Sequence, residues 1–224
     1  MTRLLFINPN TTQSMTDKVL LAARQAAAPT VQVDASTSPH GPESIQGAED
    51  GDKAIPGLLD ALRAGIEKQY DGYAIACFDD TGLDECRALT DKPVVGIGQS
   101  AFHASMLLSE NFSVVTTLAV SIPVIEKNLI RYGLSGMCKK VRASDVPVLA
   151  LEEPGSTAEK QISDEISRAI EQDECQSIVL GCAGMAPLAA RLSAHHGIPV
   201  IDGVVAAVGV LSTLHALQLS MTLA

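Results

Sequence analysis

The sequence predicts an α/β protein of two pseudo-symmetric lobes, each built on a parallel sheet, with a cleft between them. Three observations carry this. The stretch Asp71-Gly72-Tyr73-Ala74-Ile75-Ala76-Cys77 is a short apolar run that stops at a cysteine and passes at once into the polar turn Phe78-Asp79-Asp80-Thr81-Gly82. A buried parallel strand reads this way where it reaches the carboxyl edge of a sheet. The pattern returns in Ser177-Ile178-Val179-Leu180-Gly181-Cys182, followed by Ala183-Gly184-Met185. Strand-like and helix-like segments also alternate along the whole chain, which favours parallel sheets.

In order, Arg3 to Ile7 is the first strand, stopped by Asn8-Pro9-Asn10, and Thr11 or Thr12 can cap a helix that begins near Met15. A second strand covers Val31 to Ala35. The Pro/Gly/Ser-rich segment Ser36 to Gly47 follows; loops of that length in compact domains are usually functional or mobile. A helix from Asp50 to Lys68 leads to the strand ending at Cys77, then come a helix over Gly82 to Leu89 and a strand over Pro93 to Ile97. The second series opens with Phe112 to Val115, closed by Thr116-Thr117. Its helix, Ile122 to Tyr132, ends at Gly133, a favourable C-cap residue. A strand over Val146 to Leu151, a loop over Glu152 to Thr157 and a helix over Ala158 to Gln172 precede the strand ending at Cys182. A helix over Pro187 to Ala194, the strand Pro199 to Ile201 and a helix over Val204 to Leu217 complete the chain.

The halves read as copies. Pro93 follows Cys77 and Pro199 follows Cys182 at spacings that differ by one residue, and each cysteine strand comes after a strand, a Thr-bearing turn and a helix. Duplication of such a unit sets equivalent strand ends across a pseudo-twofold axis. The expectation is two flavodoxin-like lobes, residues 1–98 with 204–224 and residues 99–203. The last helix then packs back on the first lobe.

Composition narrows the partners. With no Trp, three Tyr and four Phe, the core is aliphatic, and stacking on nucleobases is disfavoured. A net charge of −10 argues against nucleic acid and anionic membrane surfaces, both of which need a cationic face. No apolar run approaches the roughly 18 residues of a membrane span, and the apolar amino-terminal run is too short for a signal peptide. The five cysteines, an odd number without a secretory signal, fit a reducing cytoplasm. No CxxC or CxH pair suggests zinc, and no GxGxxG, GxxxxGK[ST] or HExxH suggests a nucleotide or catalytic metal, so no cofactor and no metal are expected. Cys86, Cys138 and Cys175 lie in polar surroundings and read as structural.

Two strand-terminal thiols facing one cleft suit proton transfer at carbon. A thiolate can remove a proton beside a carbonyl to leave a planar enolate, and a thiol on the opposite face can return one and invert the centre. A strand-to-helix turn at each cysteine is expected to lower its pKa through the helix dipole. A lone strand-end cysteine is more often a small hydrophobe; two at corresponding places in a repeat favour chemistry.

The stretches Ile7-Asn8-Pro9-Asn10-Thr11, Gly41-Pro42-Glu43-Ser44-Ile45-Gln46, Ala76-Cys77-Phe78-Asp79-Asp80, Phe112-Ser113-Val114-Val115-Thr116-Thr117 and Val179-Leu180-Gly181-Cys182-Ala183-Gly184-Met185 resemble the aspartate/glutamate/hydantoin racemase superfamily, most closely its hydantoin and allantoin racemase branch. The resemblance implies a cofactor-independent, homo-oligomeric racemase with Cys77 and Cys182 as its two acid/bases and a 5-substituted hydantoin, a cyclic ureide, as substrate. Allantoin, or an amino-acid racemase or decarboxylase activity, is the alternative. Amino-acid racemases of the superfamily typically follow the first cysteine with Asn-Thr; here Phe78-Asp79-Asp80 follows. An aspartate there repels a carboxylate, accepts ring N–H groups, and raises the pKa of Cys77. Asp79 is read as a substrate contact or a helix cap, Asp80 as a cap. Asn10, Thr116, Thr117 and the backbone N–H groups of Phe78, Ala183 and Gly184 are expected around the enolate oxygen, although the Thr pair would equally cap the Ile122 helix. Pro42 and Ile45 line the ligand or belong to a plain surface loop. His103, His195 and His196 are expected at the surface.

Overall fold

A computed structural model describes residues 1–152 and 157–221. Its strands form two four-stranded sheets, ordered β2-β1-β3-β4 and β6-β5-β7-β8. The first comprises β1 (Thr2–Asn8), β2 (Val31–Thr37), β3 (Gly72–Ile75) and β4 (Val94–Gly96). The second comprises β5 (Phe112–Thr116), β6 (Cys138–Ala143), β7 (Ile178–Gly181) and β8 (Val200–Ile201). Every pairing is parallel. The two orders are the same order displaced by four strands, so the repeat legible in the sequence is a repeat of topology. All residues of β3, β5 and β7 are buried, as expected of central parallel strands covered on both faces.

Each strand is followed by a helix: α1 (Gln13–Ala26), α2 (Ala48–Glu67), α3 (Leu83–Arg87) and α4 (Ile97–Met106) in the first half, then α5 (Ile122–Arg131), α6 (Ala158–Asp173), α7 (Ala189–His196) and α8 (Gly203–Ala216) in the second. The fourth helix of each half crosses to the other sheet. Ala101 and Phe102 of α4 pack with Phe112, Val114 and Val179 of the second sheet. Val204, Ala207, Val208 and Leu211 of α8 pack with Leu4, Phe6, Ala74 and Val95 of the first. Where α4 and α8 start, they touch backbone to backbone: a Cβ built on Gly203 would lie 2.6 Å from the carbonyl oxygen of Ile97. Only glycine permits that approach.

Three elements differ from the sequence reading. The second edge strand is Cys138–Ala143, not Val146–Leu151, which instead runs into a 3-10 turn at Val148–Glu152. The charged stretch Lys139-Lys140-Val141-Arg142 looks unlike a strand because it is an edge. Its lysines face solvent, while the buried Arg142 guanidinium donates to Asp173 (2.7 Å) and Glu165 (3.0 Å). Strand β4 ends at Gly96 and α4 begins without a loop, shortening the strand expected to reach Ile97. Thr12 stands at the N-cap of α1 but makes no capping bond; its hydroxyl donates to the Glu43 carbonyl (2.7 Å), and the Thr11 amide donates to that of Pro42 (3.0 Å). Both threonines thus pin the 38–47 loop across the end of β1. Of the loop expected over Glu152 to Thr157, residues 153–156 lie outside the described residues. No helix among the described residues is long and apolar enough to cross a membrane.

Two glycines of one helix test this packing. Gly203→Ala is expected to destabilise the protein by about 1–3 kcal/mol through overpacking against Ile97. Gly209→Ala, where an added Cβ meets nothing within 4 Å, should stabilise it by up to about 1 kcal/mol. Urea unfolding followed by far-UV circular dichroism reads both, and a loss in both would place the constraint elsewhere.

Candidate active site

The two cysteines leave their strands through the same turn. Cys77 lies just beyond β3, and the Asp80 amide donates to its carbonyl (3.1 Å); Cys182 lies just beyond β7, and the Met185 amide donates to its carbonyl (3.1 Å). Because β3 and β7 are equivalent strands of facing lobes, both thiols arrive at one pocket, partly open to solvent.

Residues from both lobes close the pocket. The turns after the cysteine strands supply Phe78 and Asp79 on one side and Ala183 and Gly184 on the other. Asn8 and Asn10 come from the end of β1; Thr117 and Ser121 come from the equivalent end of β5. Met15, Val19, Ile45 and Val148 form an apolar wall. Asn8 and Asn10 hold each other: the Asn8 amide donates to Asn10 Oδ1 (2.9 Å) and to Thr16 (3.0 Å), and Asn10 Oδ1 also accepts from the Thr12 amide (2.9 Å). Asn10 Nδ2 is left with Met15 Sδ at 3.3 Å, a weak acceptor, so its N–H groups remain competent to bind a ligand oxygen.

Sequence reasoning placed Asn10, Ile45, Phe78, Asp79, Thr117, Ala183 and Gly184 here, and all seven line the pocket with the two cysteines. Thr116 and Pro42 do not. The Thr116 hydroxyl is fully buried and donates to the Gly181 carbonyl (3.0 Å), tying β5 to β7 one residue before Cys182. Pro42 offers its carbonyl to Thr11 and so anchors the loop that carries Ile45. Asn8, Met15, Val19, Ser121 and Val148 were missed. The repeat held the signal for Ser121, since residues after β5 must occupy the place of those after β1.

The electrostatics around Cys77 run against the helix-dipole expectation. No α-helix starts at Cys77; α3 begins at Leu83. Burial, and next the Asp79 carboxylate, push the Cys77 thiol well above the usual thiol range, opposed by hydrogen bonds from Thr81 and the Asp79 amide. A 3-10 turn (Ala183–Leu188) follows Cys182 directly. Asp79 itself is pushed up to about 7 by burial and then by Asp80. Asp80 does cap a helix, but α4 and not its own: its carboxylate accepts the amides of Gly98 (2.9 Å) and Gln99 (2.8 Å) and the Tyr132 hydroxyl (2.8 Å). Burial still raises it to about 6. Gly96 makes room for it, since a Cβ there would lie 1.9 Å from Asp80 Oδ1.

Cys86 and Cys138 do not line the pocket, and burial pushes their thiols up to about 12. His103 and His195 are exposed and His196 is half-buried, away from the pocket lining. Among the described residues no group of three His, Cys, Asp or Glu could hold a metal ion.

The sequence profile of the Asp/Glu/hydantoin racemase family matches residues 4–211. A hydantoin racemase of Rhizobium meliloti is 46% identical over 202 residues, 90% of this chain and 84% of that protein. The structure of an allantoin racemase from Klebsiella pneumoniae superposes with a TM-score of 0.97 at 40% identity, covering 99% of this chain and 91% of its own. Allantoin racemase from Pseudomonas fluorescens superposes at 0.95 with 36% identity, covering 99% and 94%.

The Asp79 shift has a stability consequence. Raised from 3.8 to about 7, its ionisation opposes folding by an amount that is absent below pH about 4, grows through the interval and is complete above about 7. Asp79→Asn is therefore expected to gain stability relative to wild type as pH rises from 4 to 8. Urea midpoints of the pair across that range check it; a constant difference would contradict a buried, raised carboxyl.

Proposed function

This chain belongs to the Asp/Glu/hydantoin racemase family and is an isomerase of it, and from that premise we propose that it inverts C5 of 5-substituted hydantoins by two-thiol proton transfer without a cofactor. The observation that carries the reading is that Cys77 and Cys182, at equivalent strand ends of facing lobes, line one pocket. The thiolate of one takes the C5 proton, forming S–H as the C–H electron pair moves into the enolate at C4. The thiol of the other returns a proton to the opposite face and becomes the thiolate. Each turnover thus exchanges thiol and thiolate between the residues and leaves the proton count unchanged. Burial and Asp79 favour the protonated form of Cys77.

The other groups divide by what the ring presents. Asp79, which has no side-chain hydrogen bond of its own to a described residue, accepts a ring N–H. Asn10 Nδ2, the Thr117 hydroxyl and the N–H groups of Phe78, Ala183 and Gly184 surround the enolate oxygen, where preorganised donors contribute most. Met15, Val19, Ile45 and Val148 take the C5 substituent, which favours an apolar one. Allantoin is the second reading: the superposing structures at 40% and 36% identity are allantoin racemases, and Ser121 adds a polar group to the same pocket.

Optical rotation followed with a 5-alkylhydantoin and with allantoin separates the two substrates. Cys77→Ser and Cys182→Ser are each expected to slow racemisation at least about 100-fold. A Cys182→Ser protein that keeps most of its activity would point to one-thiol chemistry and sink the scheme. Binding of a hydantoin by wild type in D2O without deuterium entering C5 would reduce the protein to a receptor.

A further inference from the structure

The two cysteine turns share a backbone but not a side chain. In each, the amide of the fourth residue donates to the cysteine carbonyl, so the chain doubles back and sets the fifth residue beside the sulfur's turn. After Cys77 the fifth residue is Thr81; after Cys182 it is Ala186. Thr81 is buried, with its Oγ1 3.5 Å from Cys77 Sγ, and the sulfur is the one hydrogen-bond partner of that hydroxyl among the described residues. Positive φ angles at Asp80 (50°) and Gly82 (66°) hold the residue in this place, and Asp80 is in turn fixed by α4 and Tyr132. Thr81 does not line the pocket that holds the two thiols; it faces the neighbouring cleft between α2 and α5.

A hydroxyl is both donor and acceptor and rotates freely. Opposite a sulfur that gains and loses a proton, it can accept from S–H and donate to the thiolate without rearrangement of anything else. A carbonyl would serve only the first state and an amide only the second. Resting on the reading of Cys77 as an acid/base, we propose that Thr81 is a positioning residue for it, its hydroxyl following the proton on and off the sulfur. The corresponding residue after Cys182 is Ala186, which carries no hydroxyl, so the two turns are not equivalent. The charged and titratable groups about Cys77 are Asp79 and Asp80 on its own loop and Cys182 from β7, with Asp52 on α2 and Lys127 and Arg131 on α5 across the neighbouring cleft. Replacing Thr81 alters none of them.

The test compares Thr81→Val, which keeps the shape, with Thr81→Ser, which keeps the hydroxyl; Thr81→Ala repeats the comparison should valine disturb folding. Below its pKa, a thiol alkylates in proportion to its thiolate fraction. A hydrogen bond to a charged group, at about 1.5–3 kcal/mol, corresponds to roughly tenfold or more in that fraction. Iodoacetamide labelling of the Cys77 peptide, followed by mass spectrometry at about pH 8, should slow roughly tenfold in Thr81→Val and stay near wild type in Thr81→Ser. Racemase kcat should fall by a similar factor with KM unchanged, because Thr81 does not touch the substrate pocket. Wild-type labelling and kcat in Thr81→Val overturn the proposal, as does a loss confined to KM. Racemisation that survives Cys77→Ser would overturn the acid/base role instead, and the labelling shift would then still report the hydrogen bond on its own.

Discussion

The contact between Gly203 and the Ile97 carbonyl fixes how far apart the two halves of this protein sit. It lies where α4 and α8 begin, each having just left one sheet to cover the other. Because each core is completed by a helix from the opposite half, the lobes cannot swing apart as hinged domains without exposing Phe102 on one side and Val208 or Leu211 on the other. Burying such side chains is worth about 1.5–3 kcal/mol each, so a wide opening is unfavourable. The cleft is held near its working width by the folding of the chain. That matters for any reaction in which two groups must meet one carbon from opposite sides, since small errors in placement cost rate steeply.

Within this symmetric frame the chemistry is asymmetric. The turn after Cys77 carries a carboxylate and a hydroxyl, and the turn after Cys182 carries Ala183, Gly184 and Ala186. A hydantoin ring is itself unsymmetrical about C5, with an N–H on one side and a carbonyl on the other. On the proposed hydantoin reading, duplication supplies two faces, and divergence of the copied turns would supply recognition of a ring with a polar direction. The small residues after Cys182 also suit close approach: a Cβ at Gly184 would meet Leu151 at 3.0 Å and Cys182 Sγ at 3.7 Å.

Much of this was legible in the amino-acid sequence because it is local. An apolar run stopped by a cysteine and a turn is a strand end, and its recurrence announces a repeat. What escaped depended on distant partners. The edge strand β6 was hidden by charges that solvent and the buried Arg142 pairings satisfy. The thiol environment was misjudged because a helix dipole was inferred from the turn, whereas burial dominates at Cys77.

Asp80 illustrates how such distant demands select a residue. Three donors converge on it, the amides of Gly98 and Gln99 and the hydroxyl of Tyr132, and they come from the start of one helix and the end of another. An asparagine has a single acceptor oxygen, so its NH2 group would face one of these N–H groups and leave a buried donor unmatched. Only a carboxylate, with two acceptor oxygens and about four lone-pair sites, answers all three. Its raised pKa means that burial outweighs those bonds, so Asp80 lowers stability when ionised. Its benefit is position: by joining α4 and the end of α5 to the turn that begins at Cys77, it holds in place the turn that carries Asp79 and Thr81. The same carboxylate therefore both strains the fold and orders the site, which is why a neutral residue of equal size would not do.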